Sequence, residues 1–396
     1  MNAANPVVIV GAARTPIGGF LGGLKDVTAP ALGARAIEAA IMRAGAPAED
    51  VDDVIMGCVL SAGLGQAPAR QASLNAGLPE STGCTTINKM CGSGMKAVMI
   101  AHDQIMAGGS RIVIAGGMES MSNAPYLLDR ARQGYRMGHR KLVDHMFFDG
   151  LEDAYEKGRL MGSFAEDCAT EYQFTREMQD EYALASLTRA QRAAAEGSFF
   201  QEIAAMAVRT GAGERVIAAD ELPAKAEASD IALLRPAFRD GGSVTAANSS
   251  AISDGAAAMM LMRLDEADGR GLPPLAVICG HVTVAGAPSR FPVMPVSAIR
   301  RLVERLGWTI ADVDLFEINE AFAVVVLAAM RDLDLPRDKV NIRGGACALG
   351  HPIGASGGRI IVTLLAALEK YRLKRGVAAL CIGGGEATAI GVERMG

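Results

Sequence analysis

The chain has 396 residues, half of them apolar and only 5% aromatic, with a net charge of −5 at neutral pH. That length predicts two to three domains around an ample core, and the mildly acidic balance excludes the basic footprint of a nucleic-acid or anionic-membrane binder. Seven cysteines (Cys58, Cys84, Cys91, Cys168, Cys279, Cys347, Cys381) show no CxxC spacing and an odd count, which argues against a disulfide framework and a zinc site and for a reducing, cytoplasmic setting. The start MNAAN runs straight into VVIV, with no basic segment before a long apolar one, so no signal peptide is expected. No apolar stretch is long enough to span a bilayer.

Short apolar runs alternate with longer helical patterns, the mark of an α/β protein. In chain order the predicted strands are Val7–Val10, Val54–Met56, Arg111–Ala115, Ala256–Leu261, Leu275–Val284, Val313–Ile318, Val377–Ile382 and Ala387–Val392. The predicted helices are Ala31–Ala44, Pro68–Ala76, Ser93–Ala107, Arg176–Glu196, Val296–Leu306, Ala321–Arg331 and Ser356–Lys370.

An internal repeat organises these elements. RAGAPAEDVDDVIMG at 43–57 and RLGWTIADVDLFEIN at 305–319 share Arg, Gly and Asp-Val-Asp at a constant offset of 262. Ser93-Gly94 and Ser356-Gly357 then each open a helix that leads to a strand, RIVIAGGME and AALCIGGGE, at nearly that offset. The intervening segment, about 121–247, is richer in charge and in Tyr and Phe, and reads as an insertion lying over the first half. The expected division is 1–120 with 248–270, the insertion 121–247, and 271–396.

Three residues carry the chemistry. His351 sits in GGACALGHPIGASGG, residues 344–358, among six glycines; glycine lets backbone approach a ligand, and His is the usual acid/base near neutral pH. Cys91 stands in NKMCGSG before a helix start, where unpaired N–H groups and the dipole favour a thiolate and can hold an oxyanion. Cys381 ends an apolar strand in ALCIGGGEA. Two cysteines and a histidine in glycine frames suggest acyl transfer through a thioester. Taken alone, Cys91 and Cys381 also fit small buried hydrophobes, His351 a structural histidine, and Asn319 a helix N-cap after the strand ending at Ile318.

Seven stretches decide between these readings: GAARTPIGGF (11–20), NKMCGSGMKA (88–97), AGGMESMSNAPY (115–126), VTAANSSAISDGAA (244–257), EINEAF (317–322), GHPIGASG (350–357) and CIGGGEA (381–387). In this order they resemble the thiolase family from end to end. The resemblance implies a thiolase fold: two duplicated mixed-sheet halves layered α-β-α-β-α, with an inserted loop domain that helps bind CoA and form a homotetramer.

It also implies reversible condensation of two acetyl-CoA to acetoacetyl-CoA and CoA. Cys91 would be the acylated nucleophile and Cys381 the acid/base at the α-carbon. His351 would deprotonate Cys91, Asn319 hold a water beside it, and the Gly383 N–H help the oxyanion hole. Ser250 and Met161 would flank the pantetheine arm, while Phe322 and Phe291 would close the acyl pocket. CoA thioesters are substrates, and no other cofactor, metal, membrane or nucleic acid is implied.

Three positions depart from the family pattern. Leu160 stands where many biosynthetic members carry His, Phe291 where some carry Met, and Arg343 where Asn usually precedes Gly-Gly. Within the family, the alternative is a degradative 3-ketoacyl-CoA thiolase of broader chain length. A ketoacyl synthase lacks a second catalytic cysteine, a nucleotide-binding oxidoreductase lacks its GxGxxG here, and a non-catalytic CoA carrier has no need of Cys91, Cys381 and His351 together.

Overall fold

The computed structural model describes residues 5–211 and 213–395. The first half begins with β1 (Val7–Arg14), β2 (Gly18–Gly19), α1 (Ala29–Ala44), β3 (Asp53–Gly57), α2 (Pro68–Asn75), β4 (Gly83–Ile87), α3 (Ser93–Met106) and β5 (Ile112–Ser120). The insertion carries β6 (Tyr126–Leu127), β7 (Val143–Asp144), α4 (Met161–Glu171), α5 (Arg176–Ala195), β8 (Met206–Thr210) and β9 (Gly213–Ile217). The chain returns through β10 (Ser253–Arg263) and α6 (Leu264–Gly269). Then follow β11 (Ala276–Ala285), α7 (Met294–Leu306), β12 (Leu315–Ile318), α8 (Ala323–Leu333), α9 (Ala346–Leu349), α10 (Ser356–Tyr371), β13 (Arg375–Ile382) and β14 (Glu386–Arg394).

The duplication is visible in the pairing. The first half runs β1-β10-β5-β3-β4, with two antiparallel pairs followed by two parallel ones. The second half runs β11-β14-β13-β12 with the same signs, and a parallel bridge from Phe316 to Val340 stands where the fifth strand would lie. An antiparallel contact between β1 and β11 joins the halves edge to edge. The repeated aspartates keep one job in each half. Asp52 accepts from the backbone N–H groups of Arg111 and Ile112 at 2.7 and 3.0 Å, and Asp314 from those of Lys374 and Arg375 at 2.9 and 2.8 Å.

Three apolar cores give five layers. The first packs α1 and α2 on the outer face of the first half, and the third packs α7 and α8 on the outer face of the second. Between them, α3 and α10 fill a core lined by β1, β5 and β10 on one side and β11, β13 and β14 on the other. Their N-terminal turns cross at glycine: a Cβ on Gly357 would lie 2.4 Å from the Met95 nitrogen, and one on Gly94 2.7 Å from the Gly358 nitrogen. Any side chain at this crossing would push the two helix starts apart.

Several expectations are corrected. The insertion lies over both halves, since α4 packs Phe164 and Cys168 with Phe291, Phe322 and Val325 of the second, and Leu187 of α5 shares a cluster with Ile17 of the first and Leu349 of the second. Helix α8 begins at Ala323, so Asn319 is not its N-cap: the Asn319 N–H continues the ladder to the Ala379 carbonyl, and the chain passes a bridge from Ser249 to Phe322 before it coils. Strand β4 (GCTTI), with a single strongly apolar residue, and helix α4 (MGSFAEDCATE), whose Met161, Phe164, Ala165, Cys168 and Ala169 do follow a helical apolar period, both lie outside the predicted elements. Among the described residues, no helix is long and apolar enough to cross a membrane.

Candidate active site

Segments from both halves and the insertion meet around a cavity of about 60 Å³. The loop before α3 supplies Met90 and Cys91, the loop before α10 supplies His351 and Ile353, and the end of β13 and the turn that follows supply Cys381 and Gly383. Met161 from α4 and the aromatic pair Phe291 and Phe322 close one end, and Ser250 and Ala321 complete the wall. A larger cleft of about 680 Å³ beside α1 contains none of the predicted site residues.

Local conformation presents Cys91. Met90 adopts the left-handed region, φ 47°, at a cost on the order of 1 kcal/mol for a residue with a side chain. The turn is held by Ser93, whose hydroxyl accepts from the Lys89 N–H at 2.8 Å and donates to the Met90 carbonyl at 2.6 Å. Lys89 pairs with Glu386 and so ties this loop to the hairpin bearing Cys381. The N–H groups of Gly92 and Ser93 bond back to Lys89 and Met90, so the oxyanion role expected of the first N–H groups after Cys91 is not open to these two.

The expectation that the helix start favours a thiolate is also corrected. Burial pushes the Cys91 thiol up to about 11, against a lowering hydrogen bond from the Gly383 N–H. Gly383 thus lies beside the Cys91 sulfur on the cavity wall. Cys381 is buried, and its thiol is raised further by burial and by the neighbouring Cys91. The nucleophilic candidate is thus a neutral thiol at rest.

His351 is buried, and its Nδ1 lies 2.5 Å from the Ser356 hydroxyl, which itself donates to the Pro352 carbonyl. With that hydroxyl proton committed, Nδ1 carries its hydrogen towards Ser356 and Nε2 is the free base. Nε2 has no hydrogen-bond partner among the described residues. Burial, with the Arg359 charge, lowers the pKa of His351 to about 3, so the ring is neutral throughout the physiological range.

Asn319 and Leu160 do not line the cavity. Asn319 is buried, its Oδ1 3.4 Å from the Arg359 guanidinium and its Nδ2 without a partner. Leu160 precedes α4 and pairs with Glu152, its side chain part-exposed. The departure at Arg343 has a structural counterpart: it is buried, lies 3.5 Å from Glu202 and donates to the Ala366 carbonyl at 2.9 Å. Glu202 also pairs with Arg14 at 2.8 Å, so one carboxylate from the insertion locks both halves.

Three supporting residues are not apparent from sequence. Glu119, at the end of β5, accepts from the N–H groups of Val59, Leu60 and Gly354 at 3.0, 3.0 and 2.8 Å and fixes the loop that carries His351. Its burial raises its pKa to about 7. Ser356 orients the imidazole, and Arg359 faces Glu317 at 3.6 Å. Signals exist all the same: Glu119 is an acid ending an apolar strand within AGGMES, and Arg359 is the first charge in an otherwise apolar helical run.

The chain matches two family models, "Thiolase, N-terminal domain" over residues 7–265 and "Thiolase, C-terminal domain" over residues 272–394. An acetyl-CoA acetyltransferase of Chromobacterium violaceum is 49% identical over 98% of this chain and 99% of its own. Acetyl-CoA acetyltransferase 2 of Arabidopsis thaliana is 50% identical over 99% and 98%. The crystal structure of the Bacillus anthracis acetyl-CoA acetyltransferase superposes with a TM-score of 0.97 at 42% identity, covering 100% of both chains.

Proposed function

The chain belongs to the thiolase family, and from that premise we propose that it is an acetyl-CoA C-acetyltransferase, condensing two acetyl-CoA into acetoacetyl-CoA and CoA, reversibly. The observation that carries this reading is the meeting of Cys91, Cys381 and the unpartnered Nε2 of His351 around one small cavity. A ketoacyl synthase site has no use for the second thiol.

Cys91 Sγ attacks the thioester carbonyl of the first acetyl-CoA while its proton passes to His351 Nε2. A thiol near 11 beside an imidazole near 3 does not form a resting ion pair, so proton transfer accompanies attack. The Gly383 N–H stabilises the tetrahedral oxyanion. The carbon–sulfur bond to CoA breaks, CoA leaves with the Cys381 proton, and acetyl-Cys91 remains beside the Cys381 thiolate.

A second acetyl-CoA then gives an α-proton to Cys381. The released electron pair forms the carbon–carbon bond at the acetyl carbonyl, the Cys91–carbon bond breaks, and His351 returns the proton to Cys91. His351 and a water held by Asn319 donate to the enolate oxygen; the free Asn319 Nδ2 supports that role. The balance is two acetyl-CoA in, acetoacetyl-CoA and CoA out, with no further cofactor.

Substrate length follows from the walls. A water needs about 10–15 Å³ of such space, so a cavity of about 60 Å³ closed by Met161, Phe291 and Phe322 is of acetyl scale. Ser250 and Met161 face the pantetheine arm, and Leu160 removes a polar contact there. We place the enzyme in the cytoplasm, in keeping with seven free cysteines. We further propose a homotetramer, because the insertion exposes Tyr126, Leu128, Met137 and Leu142, an apolar set that calls for cover.

The test is kcat/KM for 3-ketoacyl-CoA of four, six, eight and ten carbons. Each methylene is worth about 1–3 kcal/mol in discrimination, so kcat/KM should fall steeply over the first two or three added carbons. A rise with length would make the broader degradative thiolase the correct reading.

A further inference from the structure

A cluster of ligand-type side chains lies outside the cavity, where the two halves meet. His102 and Asp103 lie near the C-terminal end of α3, and His281 lies on β11, 179 residues from His102 in sequence. His281 Nε2 is 2.9 Å from Asp103 Oδ1 and 3.3 Å from His102 Nδ1, and His102 Nδ1 is 3.0 Å from that same oxygen. The two rings meet edge to face with centroids 5.0 Å apart. We propose that His102, Asp103 and His281 bind one divalent transition-metal ion of the zinc class, at a site separate from the thioester chemistry.

The donor set is two imidazoles and one carboxylate, the ligands that such ions take, with room for solvent at the remaining positions. Metal–ligand bonds of about 2.1 Å put neighbouring donor atoms about 3.0 Å apart at a right angle and about 3.4 Å apart at the tetrahedral angle. All three observed separations lie close to that range. The imidazoles come from a helix and a strand, both anchored in the central core, so the spacing does not depend on a loop.

Helix neighbours i and i+1 do not face each other, yet the Asp103 carboxylate is turned to meet both rings. His102 is buried, His281 half-buried and Asp103 exposed, which closes the site on the protein side and opens it to water on the other. Along α3 the cluster lies about 14 Å of helix rise beyond Ser93, well away from Cys91.

The ion would clamp α3 of the first half to β11 of the second and stabilise the folded chain by mass action. The test is titration of chelator-treated full-length protein with Co²⁺ and then Zn²⁺. The expected result is one Co²⁺ per chain at micromolar concentration, with weak visible bands of nitrogen and oxygen ligation, no thiolate charge-transfer band, and displacement by Zn²⁺. His281→Gln and Asp103→Asn should each weaken binding at least about tenfold and abolish the Zn²⁺-induced rise in Tm, while condensation of acetyl-CoA proceeds as before.

No stoichiometric binding at micromolar metal would overturn the proposal. So would a thiolate band that disappears in Cys91→Ser but persists in His281→Gln, which would put the ion in the cavity. Should His281→Gln fail to fold, Asp103→Asn on the exposed carboxylate separates the same two outcomes.

Discussion

The two halves share a scaffold and divide the chemistry. Asp52 and Asp314, separated by the repeat offset, cap the same backbone turn in each half, and the strand pairings repeat sign for sign. Each half also leads a loop into a central helix at Ser-Gly. In the first half that loop ends on Cys91; in the second, the corresponding stretch carries His351, with Gly354 packed against Glu119. Positions that hold backbone have kept their residues across the duplication, whereas in the proposed mechanism the positions that face the cavity have separated into nucleophile and base. Duplication thus brought two helix starts face to face at Gly94 and Gly357, and divergence made the junction a reaction site.

That division can be broken one residue at a time. The largest effect is expected at Cys381. Cys381→Ala should abolish carbon–carbon bond formation while leaving slower but measurable acetylation of Cys91, because the departing CoA can take its proton from water whereas the α-proton has no other acceptor. Condensation assays beside single-turnover acylation separate the two steps, and near wild-type condensation would move the acid/base elsewhere.

His351→Ala comes next, with a loss of at least about 10²-fold in kcat, the scale of one general base or oxyanion donor. Asn319→Ala should cost less, since the amide acts through a water and does not line the cavity. Equal, small losses for both in steady-state kinetics would make the second half's contribution structural.

The shared scaffold predicts matched, moderate effects on stability. Asp52→Ala and Asp314→Ala each strip a charged acceptor from two backbone N–H groups, at about 1.5–3 kcal/mol apiece. Urea denaturation should return similar losses for the two variants with little change in kcat. A large loss in one and none in the other would show that the halves do not carry load alike.

A further effect concerns charge. Burial raises the Cys91 thiol to about 11 and keeps His351 neutral down to about 3. The thiolate fraction of the free enzyme therefore grows with each step of pH from 6 to 9.5. Alkylation of Cys91 by iodoacetamide should climb about tenfold per unit over that interval, with no plateau. A plateau already at pH 6 to 7 would reveal a resting thiolate–imidazolium pair.

Much of this site was legible because its residues stand in glycine frames. His351 among six glycines, Cys91 before Gly-Ser-Gly and Cys381 before three glycines are improbable settings for core side chains, and the constant offset exposed the duplication. What stayed hidden depends on tertiary placement. Glu119 reads as an ordinary acid after a strand until Gly354 arrives from 235 residues away. Asn319 looks like a cap until the Ala379 carbonyl claims its N–H. The neutral state of Cys91 also lay beyond the sequence, because a helix start argues for a thiolate and only the depth of the cavity reverses that sign. Strand β4 lacked an apolar period because it is part-exposed, whereas α4 carried one in Met161, Phe164, Ala165, Cys168 and Ala169, built from a small residue set spread over only three turns.

The central claim is that the first half carries the acyl group and the second half handles protons. It is tested most directly by incubating wild type and Cys381→Ala with isotope-labelled acetyl-CoA, quenching in acid and mapping the label by peptide mass spectrometry. The account predicts an acetyl thioester on the peptide containing Cys91 in both proteins, and none on the peptide containing Cys381. Label on Cys381, or no acyl-enzyme in a preparation that condenses acetyl-CoA, would contradict it.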